Sequence, residues 1–259
     1  MRHFFIDEKL PGELNELNEE LQITGPEARH MAKVLRMTAG EEIILSSHGD
    51  QEKKAKAEII KITADYITVQ LKEFIEINNE PPVKVWLAQG LPKSDKMDFI
   101  VQKAVELGVY GIIPLAMENC VARYDANKAA VRRARWQKIA QEAAKQATRS
   151  RVPAVWPVTS LAELLGERKI SAENTSLHII MLYEQETSLT LKEVLTKSPA
   201  VDCYLMIIGP EGGLSSEEVK LAAEYNASLV TLGRRILRAE TASLAALSIV
   251  MYARGDLGG

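Results

Sequence analysis

The sequence predicts an α/β protein in two parts, a small β-barrel over residues 1–75 and a mostly parallel α/β sheet over residues 83–259. Three observations carry this reading. Short Ile/Val-rich runs separated by turn residues fill the first part. A polar stretch with two prolines, "INNEPP" from Ile77 to Pro82, interrupts the pattern, because neither a helix nor a paired strand runs easily through it. Beyond it, apolar runs alternate with helical patterns, as in a sheet covered on both faces.

In order, "EEIILSS", "KAEIIKI" and "DYITVQLKEF" read as strands divided by "HGD" and "TAD". "PEARHMAKVLRM", from Pro26, reads as the one helix among them, with Thr24 as its candidate cap. Several short strands with one helix suggest a barrel. After the prolines come the strand "VKVWLAQG", the amphipathic helix "KMDFIVQKAVELG" ending at Gly108, and the strand "VYGIIPLA". A long helix, "NKAAVRRARWQKIAQEAAKQATR", is expected to stop at Pro153. "LHIIMLYE" and "DCYLMIIG" are strands flanking the helix "LTLKEVLTKS". "SSEEVKLAAEYN" opens with Ser215 and Glu218 in capping-box spacing. "ASLVTLG" is the last strand and "ETASLAALSIVMYARG" the last helix. Its small residues Ala242, Ser243, Ala245, Ala246 and Ser248 suit either burial within the chain or close approach of a second copy.

The 259 residues are 46% hydrophobic and 26% charged, an ordinary globular composition long enough to bury a core without staples. Cys120 and Cys203 form no metal or redox spacing and read as core thiols in a reducing compartment. The histidines His3, His30, His48 and His178 are scattered, so no metal is expected. Asp7, Glu8 and Glu13 with no apolar core exclude a secretory signal. The apolar run Ala242 to Ala253 is shorter than the roughly 18 residues a membrane span needs. The chain therefore reads as cytoplasmic. A net charge of −3 argues against polyanion binding by the whole surface. From Arg123 to Arg151, however, nine Lys or Arg face only Asp125 and Glu142, a local excess of seven positive charges that suggests an anionic partner.

In open parallel sheets, ligands sit outside the carboxyl ends of the strands. Three such ends matter: "MLYE" with Glu184, "IIGPEGG", and "VTLGRRILRAETA". Gly209, Gly212 and Gly213 allow a sharp turn and close backbone approach. The loop lacks the lysine of a phosphate-binding G-x-x-x-x-G-K-[ST] and the spacing of G-x-G-x-x-G. Its Glu211 repels phosphate but can accept ribose hydroxyls or face a cation. A phosphate-free adenosine carrying a positive centre, such as S-adenosyl-L-methionine, fits; so does a plain tight turn with Glu211 in solvent. The third loop sets Arg234, Arg235, Arg238 and Glu240 around Gly233, Ile236 and Leu237. Its apolar residues either sandwich an adenine or pack on their own core.

"IGPEGGLSSEE" together with "LGRRILRAETA" resembles the bacterial 16S ribosomal RNA (uracil-N3) methyltransferase family of the SPOUT superfamily. "MRHFF", "HMAKVLRM" and "KMDFIVQKAVELGV" extend the resemblance over essentially the whole chain. It implies a PUA-like, RNA-binding N-terminal barrel and a C-terminal trefoil knot, an exception to the rule against threaded chains. It also implies a homodimer acting on small-subunit ribosomal RNA, as an assembled subunit. S-adenosyl-L-methionine is expected at Leu182, Glu184, Gly209, Pro210, Glu211, Gly212, Gly213, Leu232, Gly233, Ile236 and Leu237. Arg238 and Glu240 are expected beside the reacting base. RNA contacts are expected from Arg2, His3, Arg29 and Arg36, and from Arg123, Arg132, Arg133 and Arg149. One departure stands in "MENCVAR", where Asn119 and Cys120 replace an expected Arg-Ser pair.

Uridine N3 carries a proton at neutral pH, so catalysis requires help with its removal or with the anion that forms. Arg238 is the expected stabiliser of that charge. Glu240 is a possible acceptor and Glu211 a second; either alternatively serves as a helix cap or as a salt-bridge partner of Arg238, and Glu240 suits the helix dipole. Two other readings stay open: the same chemistry on another RNA, and a non-catalytic RNA-binding or ribosome-assembly factor of this fold.

Overall fold

The computed structural model describes residues 1–11, 20–47, 54–63, 65–75, 79–167, 170, 176–197 and 201–258. Glu13, the "HGD" turn and Ile77 and Asn78 of the proline stretch lie outside them. The chain divides into two units, Met1–Glu80 with Ala144–Val152, and Pro81–Ala143 with Pro153–Gly259.

The first unit is built on β1 (Arg2–Ile6), β2 (Glu20–Ile23), β3 (Glu42–Ser47), β4 (Lys54–Ile62) and β5 (Ile67–Ile75), in the order β1-β3-β4-β5-β2. β1 runs parallel to β3 and the other pairs are antiparallel. Edge strands β1 and β2 do not pair with each other among the described residues, so the expected small barrel takes the form of a curled half-barrel. Alternation decides its inner face: Ile43 and Leu45, Ala55, Ala57 and Ile59, and Ile67, Val69 and Leu71 are all buried in one core. Ala28 and Met31 close it from a helix, α1 (Gly25–Arg29), that widens into a π turn at His30–Val34. There Leu35 N–H reaches back to His30 O at 3.0 Å. Thr24 makes no cap, contrary to expectation. Its hydroxyl and N–H both donate to Glu8 Oε1, at 2.8 Å each, and Pro26 removes one of the donors a cap would serve.

Residues 144–152 join this unit through buried polar contacts. The Glu80 carboxylate accepts from Arg149 Nη2 at 2.5 Å and from the N–H groups of Ser150 at 2.9 Å and Arg151 at 3.2 Å. Lys54 Nζ donates to Thr148 O at 2.5 Å.

The second unit alternates strands and helices: β6 (Lys84–Gly90), α2 (Lys96–Glu106), β7 (Gly111–Leu115), α3 (Ala126–Gln146), β8 (Ala154–Val155), α4 (Leu161–Glu167), β9 (Leu177–Leu182), α5 (Leu191–Lys197), β10 (Cys203–Ile208), α6 (Ser216–Glu224), β11 (Ser228–Val230) and α7 (Ala239–Ala253). Its sheet has the order β11-β9-β10-β6-β7-β8, and every pairing is parallel. Central β10 is buried along its whole length, which explains its unbroken apolar sequence. α3 ends at Gln146, earlier than expected. The chain leaves it through Thr148 in the left-handed region (φ 53°), so Pro153 is not the stop. β8 and α4 were not foreseen. Register sets Leu182 beside Ile208 and Val230, aligning the carboxyl ends of β9, β10 and β11. No helix among the described residues is long and apolar enough to cross a membrane.

Candidate active site

A cavity of about 460 Å³ opens where those three strands end. Leu182 lines it at the end of β9 and Glu184 just beyond, with Gly209, Pro210, Glu211 and Gly213 after β10. Leu232, Gly233, Ile236, Leu237 and Arg238 line it after β11, together with Arg234 and Arg235. Two glycines explain the tight weave. Gly213 has φ +74°, and a Cβ there would lie 2.6 Å from Glu184 Oε1. A Cβ on Gly90, at the end of β6, would lie 2.6 Å from Pro210 N. Gly212 departs from expectation. It is absent from the cavity wall, and its missing Cβ makes room for Asn119 O, 2.7 Å from where that atom would stand. Its role is packing of loop on loop, in which Asn119 Nδ2 also donates to Gly213 O at 3.4 Å.

Two buried groups fix this floor: Gln89, which the sequence did not single out, and Ser243, read from the sequence only as a small packing residue. Gln89 Nε2 donates to Gly90 O at 2.9 Å and to Gly209 O at 3.4 Å, while the Ser243 hydroxyl donates to Gln89 Oε1. Both side chains are fully buried, so the first turns of α7 and the glycine loop share one polar anchor. After the glycine loop, Ser215 Oγ accepts from Glu218 N–H at 3.3 Å and Glu218 Oε2 accepts from Ser215 N–H at 2.9 Å, the capping box read from the sequence. Glu218 Oε1 also accepts from Glu118 N–H at 2.9 Å, tying in the loop after β7. Cys120 in that loop is buried, and burial pushes its thiol up from the usual range.

The third loop is stiffened by Thr231, whose Oγ1 donates to Gly233 O and accepts from Gly233 N–H, both at 3.1 Å. Ile236 is 88% exposed: it faces open space and is not packed on a core of its own. Arg238 stands at the N-cap of α7 without forming a cap bond.

The electrostatics depend on Lys96, another residue the sequence reading passed over. Its Nζ lies 2.9 Å from Glu211 Oε1 and 3.2 Å from Glu240 Oε2. The second contact is an ion pair without hydrogen-bond geometry, since Glu240 Oε2 is buried with no hydrogen-bond partner. Glu211 also accepts from Lys93 N–H, at 3.1 and 3.2 Å to its two oxygens. Burial works to raise the Glu211 carboxyl, but Lys96 and Lys93 outweigh it and hold it below the usual range. The negative charges of Glu211 and then Glu240 beside it raise Lys96 above its ordinary value. Glu240 does not line the cavity, so the salt-bridge reading fits it, with Lys96 as partner in place of Arg238.

Two expected RNA contacts are corrected. Arg149 is 3% exposed and committed to Glu80, and a buried guanidinium cannot meet phosphate. His3 is buried, with Nε2 2.8 Å from Ser46 Oγ. Arg2, Arg29, Arg36, Arg123 and Arg133 are exposed. Arg132 pairs with Asp95 at 3.3 Å, Arg135 with Asp98 at 2.5 Å and Lys145 with Glu27 at 2.7 Å. With Glu80, carboxylates from outside the basic stretch thus answer part of its positive excess. Trp136 is core, donating to Asp98 Oδ1 at 3.1 Å.

Residues 79–251 match the family described as RNA methyltransferase domain, and residues 23–72 match the RNA methyltransferase PUA domain. Fold and site therefore define an RNA methyltransferase with a PUA domain. Ribosomal RNA small subunit methyltransferase E of Bacillus subtilis (strain 168) is 36% identical over 264 residues, covering 99% of this chain and 100% of that protein. The protein of that name from Rickettsia conorii (strain ATCC VR-613 / Malish 7) is 30% identical, covering 90% of each. The crystal structure of the Neisseria gonorrhoeae ribosomal RNA small subunit methyltransferase E bound to S-adenosyl methionine matches with a TM-score of 0.83, 31% identity and full coverage of both chains. The chain belongs to the ribosomal RNA small subunit methyltransferase E family.

Proposed function

We propose that the chain transfers a methyl group from S-adenosyl-L-methionine to N3 of a uridine in 16S ribosomal RNA. The observation that carries this is the cavity at three aligned strand ends, in a chain of this family. Its residues fit the donor. The volume suits a molecule of that size. Glycine backbone allows close approach, Leu182, Leu232 and Leu237 offer apolar contact for an adenine, and Glu184 offers acceptors for ribose hydroxyls. Arg234 and Arg235 supply cations for a carboxylate. When bound, the donor supplies a methyl carbon made electrophilic by its sulfonium. The loops' task is orientation, worth at most roughly 7–11 kcal/mol in well-aligned reactions. Arg238, on the cavity wall and exposed, stabilises the negative charge that develops on uracil as the N3 proton leaves.

Residues 1–75 act as the PUA-like RNA-binding domain and residues 83–259 as the methyltransferase domain, with the trefoil knot at its C-terminal loops. The substrate is an assembled small subunit in the cytoplasm, contacted by Arg2, Arg29, Arg36, Arg123, Arg132 and Arg133. Two chains pair: Phe99 on α2 and Ile249 and Tyr252 on α7 are exposed apolar side chains on two helices that pack together.

The test is transfer of label from S-adenosylmethionine to small subunits from cells lacking the gene, followed by nucleoside mass spectrometry. One 3-methyluridine per 16S RNA is expected. Label on another nucleoside refutes the site of methylation. RNA binding without transfer refutes catalysis and leaves the assembly-factor reading.

A further inference from the structure

Lys96 is an unusual choice for its position. It is the first residue of α2, at the positive end of the helix dipole, where acidic side chains are favoured. Two residues before it, Ser94 adopts φ +56°, a left-handed conformation that costs a non-glycine residue conformational energy. A short turn thus breaks two local rules at once, and such breaks concentrate where function demands them. The turn grips the glycine loop twice, through Lys93 N–H and Lys96 Nζ to the Glu211 carboxylate. The same ammonium reaches Glu240, in the first turn of α7, two residues after Arg238.

We infer that Lys96 is a positioning residue for methyl transfer, clamping the glycine loop to the start of α7 so that the donor site and Arg238 keep a fixed separation. The inference rests on the proposed function and adds a residue to it. Without the ammonium, the carboxylates of Glu211 on the glycine loop and Glu240 in the first turn of α7 face one another uncompensated. Repulsion then parts the glycine loop from the start of α7 and misplaces Arg238 relative to the donor site. Glu211 itself is engaged by the protein's own cation, so its part is structural and not that of a proton acceptor.

The test compares wild type with Lys96→Met, Lys96→Arg, Glu211→Gln and Lys96→Met/Glu211→Gln in the full chain. A misplacement of about 1 Å can cost on the order of 10²-fold. Lys96→Met is therefore expected to lower kcat on the order of 10²-fold, with KM for the subunit and Kd for S-adenosylhomocysteine within about threefold of wild type. Lys96→Arg should restore most of the rate. Adding Lys96→Met to Glu211→Gln should cost less than it does alone, because the two share one interaction. Amide exchange at 209–214 and 238–241 should accelerate in Lys96→Met, a readout independent of activity. Unchanged kcat, fully additive losses, a matching loss of donor affinity or unchanged exchange would each overturn the clamp. Absence of methyl transfer by wild type would instead overturn the proposed function, and the exchange measurement would still decide the clamp.

Discussion

Arg238 breaks a local rule in the same way as Lys96. The N-cap favours Asn, Asp, Ser or Thr, and forgoing a cap costs about 1 kcal/mol. An arginine there caps nothing, yet it lines the cavity. Arg238→Ala should therefore lower kcat on the order of 10²-fold or more, the loss typical of removing one charge-stabilising donor, while donor affinity stays within a few-fold. Steady-state rates beside calorimetry read both, and equal losses would reassign Arg238 to donor binding. That Gly209, Gly213 and Arg238 stand on the cavity wall was legible, their roles there remaining proposals, because the signal is local: a strand ends, the chain turns, and an unusual residue type stands there. Lys96 was not legible. A lysine near a helix start looks like a solvated side chain until folding brings Glu211 and Glu240 to it from far along the chain. Gln89 was hidden differently, as one polar residue inside a strand read as apolar.

At the scale of elements, period and punctuation recovered most strands and helices. α4 was missed although it carries a readable signal. Ser160 and Glu163 form a capping box like Ser215 and Glu218, and Thr190 and Glu193 form another before α5. The basic stretch taught the opposite lesson. Counting charges along α3 overstated its free charge, because Asp95 and Asp98 answer it from the start of α2. Arg133 spends one N–H on Val155 O, at 2.9 Å, and forms no ion pair among the described residues. Arg133→Glu should weaken subunit binding and reduce the slope of log K against log salt by about 1 or more. Filter binding at several salt concentrations measures this. An unchanged slope would remove α3 from the RNA-binding surface.

For the whole molecule, the change of pattern at the prolines falls where the chain passes from Glu80 in one unit to Pro81 in the other. The return of residues 144–152 to the first unit was not legible, because it rests on Glu80 and Arg149, two charges buried together across a long stretch of chain. Strand order was equally hidden: the sequence supplies parallel strands, but their sequence-distant pairing decides which is central. The first unit also carries a pH dependence. Burial, then the charges of Lys54 and Lys145, lowers His3 from 6.5 to about 4. Below pH 6.5 the unfolded chain binds a proton that the folded chain refuses until about pH 4. Stability therefore falls as pH drops through that window, by up to about 3 kcal/mol. Urea unfolding at pH 7 and pH 5 should show a smaller drop for His3→Gln than for wild type; equal drops would show that His3 does not control the loss. The most direct test of the central claim is calorimetric titration with S-adenosylhomocysteine of wild type and of Gly213→Val, whose side chain would occupy the space beside Glu184. One saturable site in wild type, weakened at least about tenfold in the variant, is the predicted result; no binding by wild type, or equal binding by both, would contradict it.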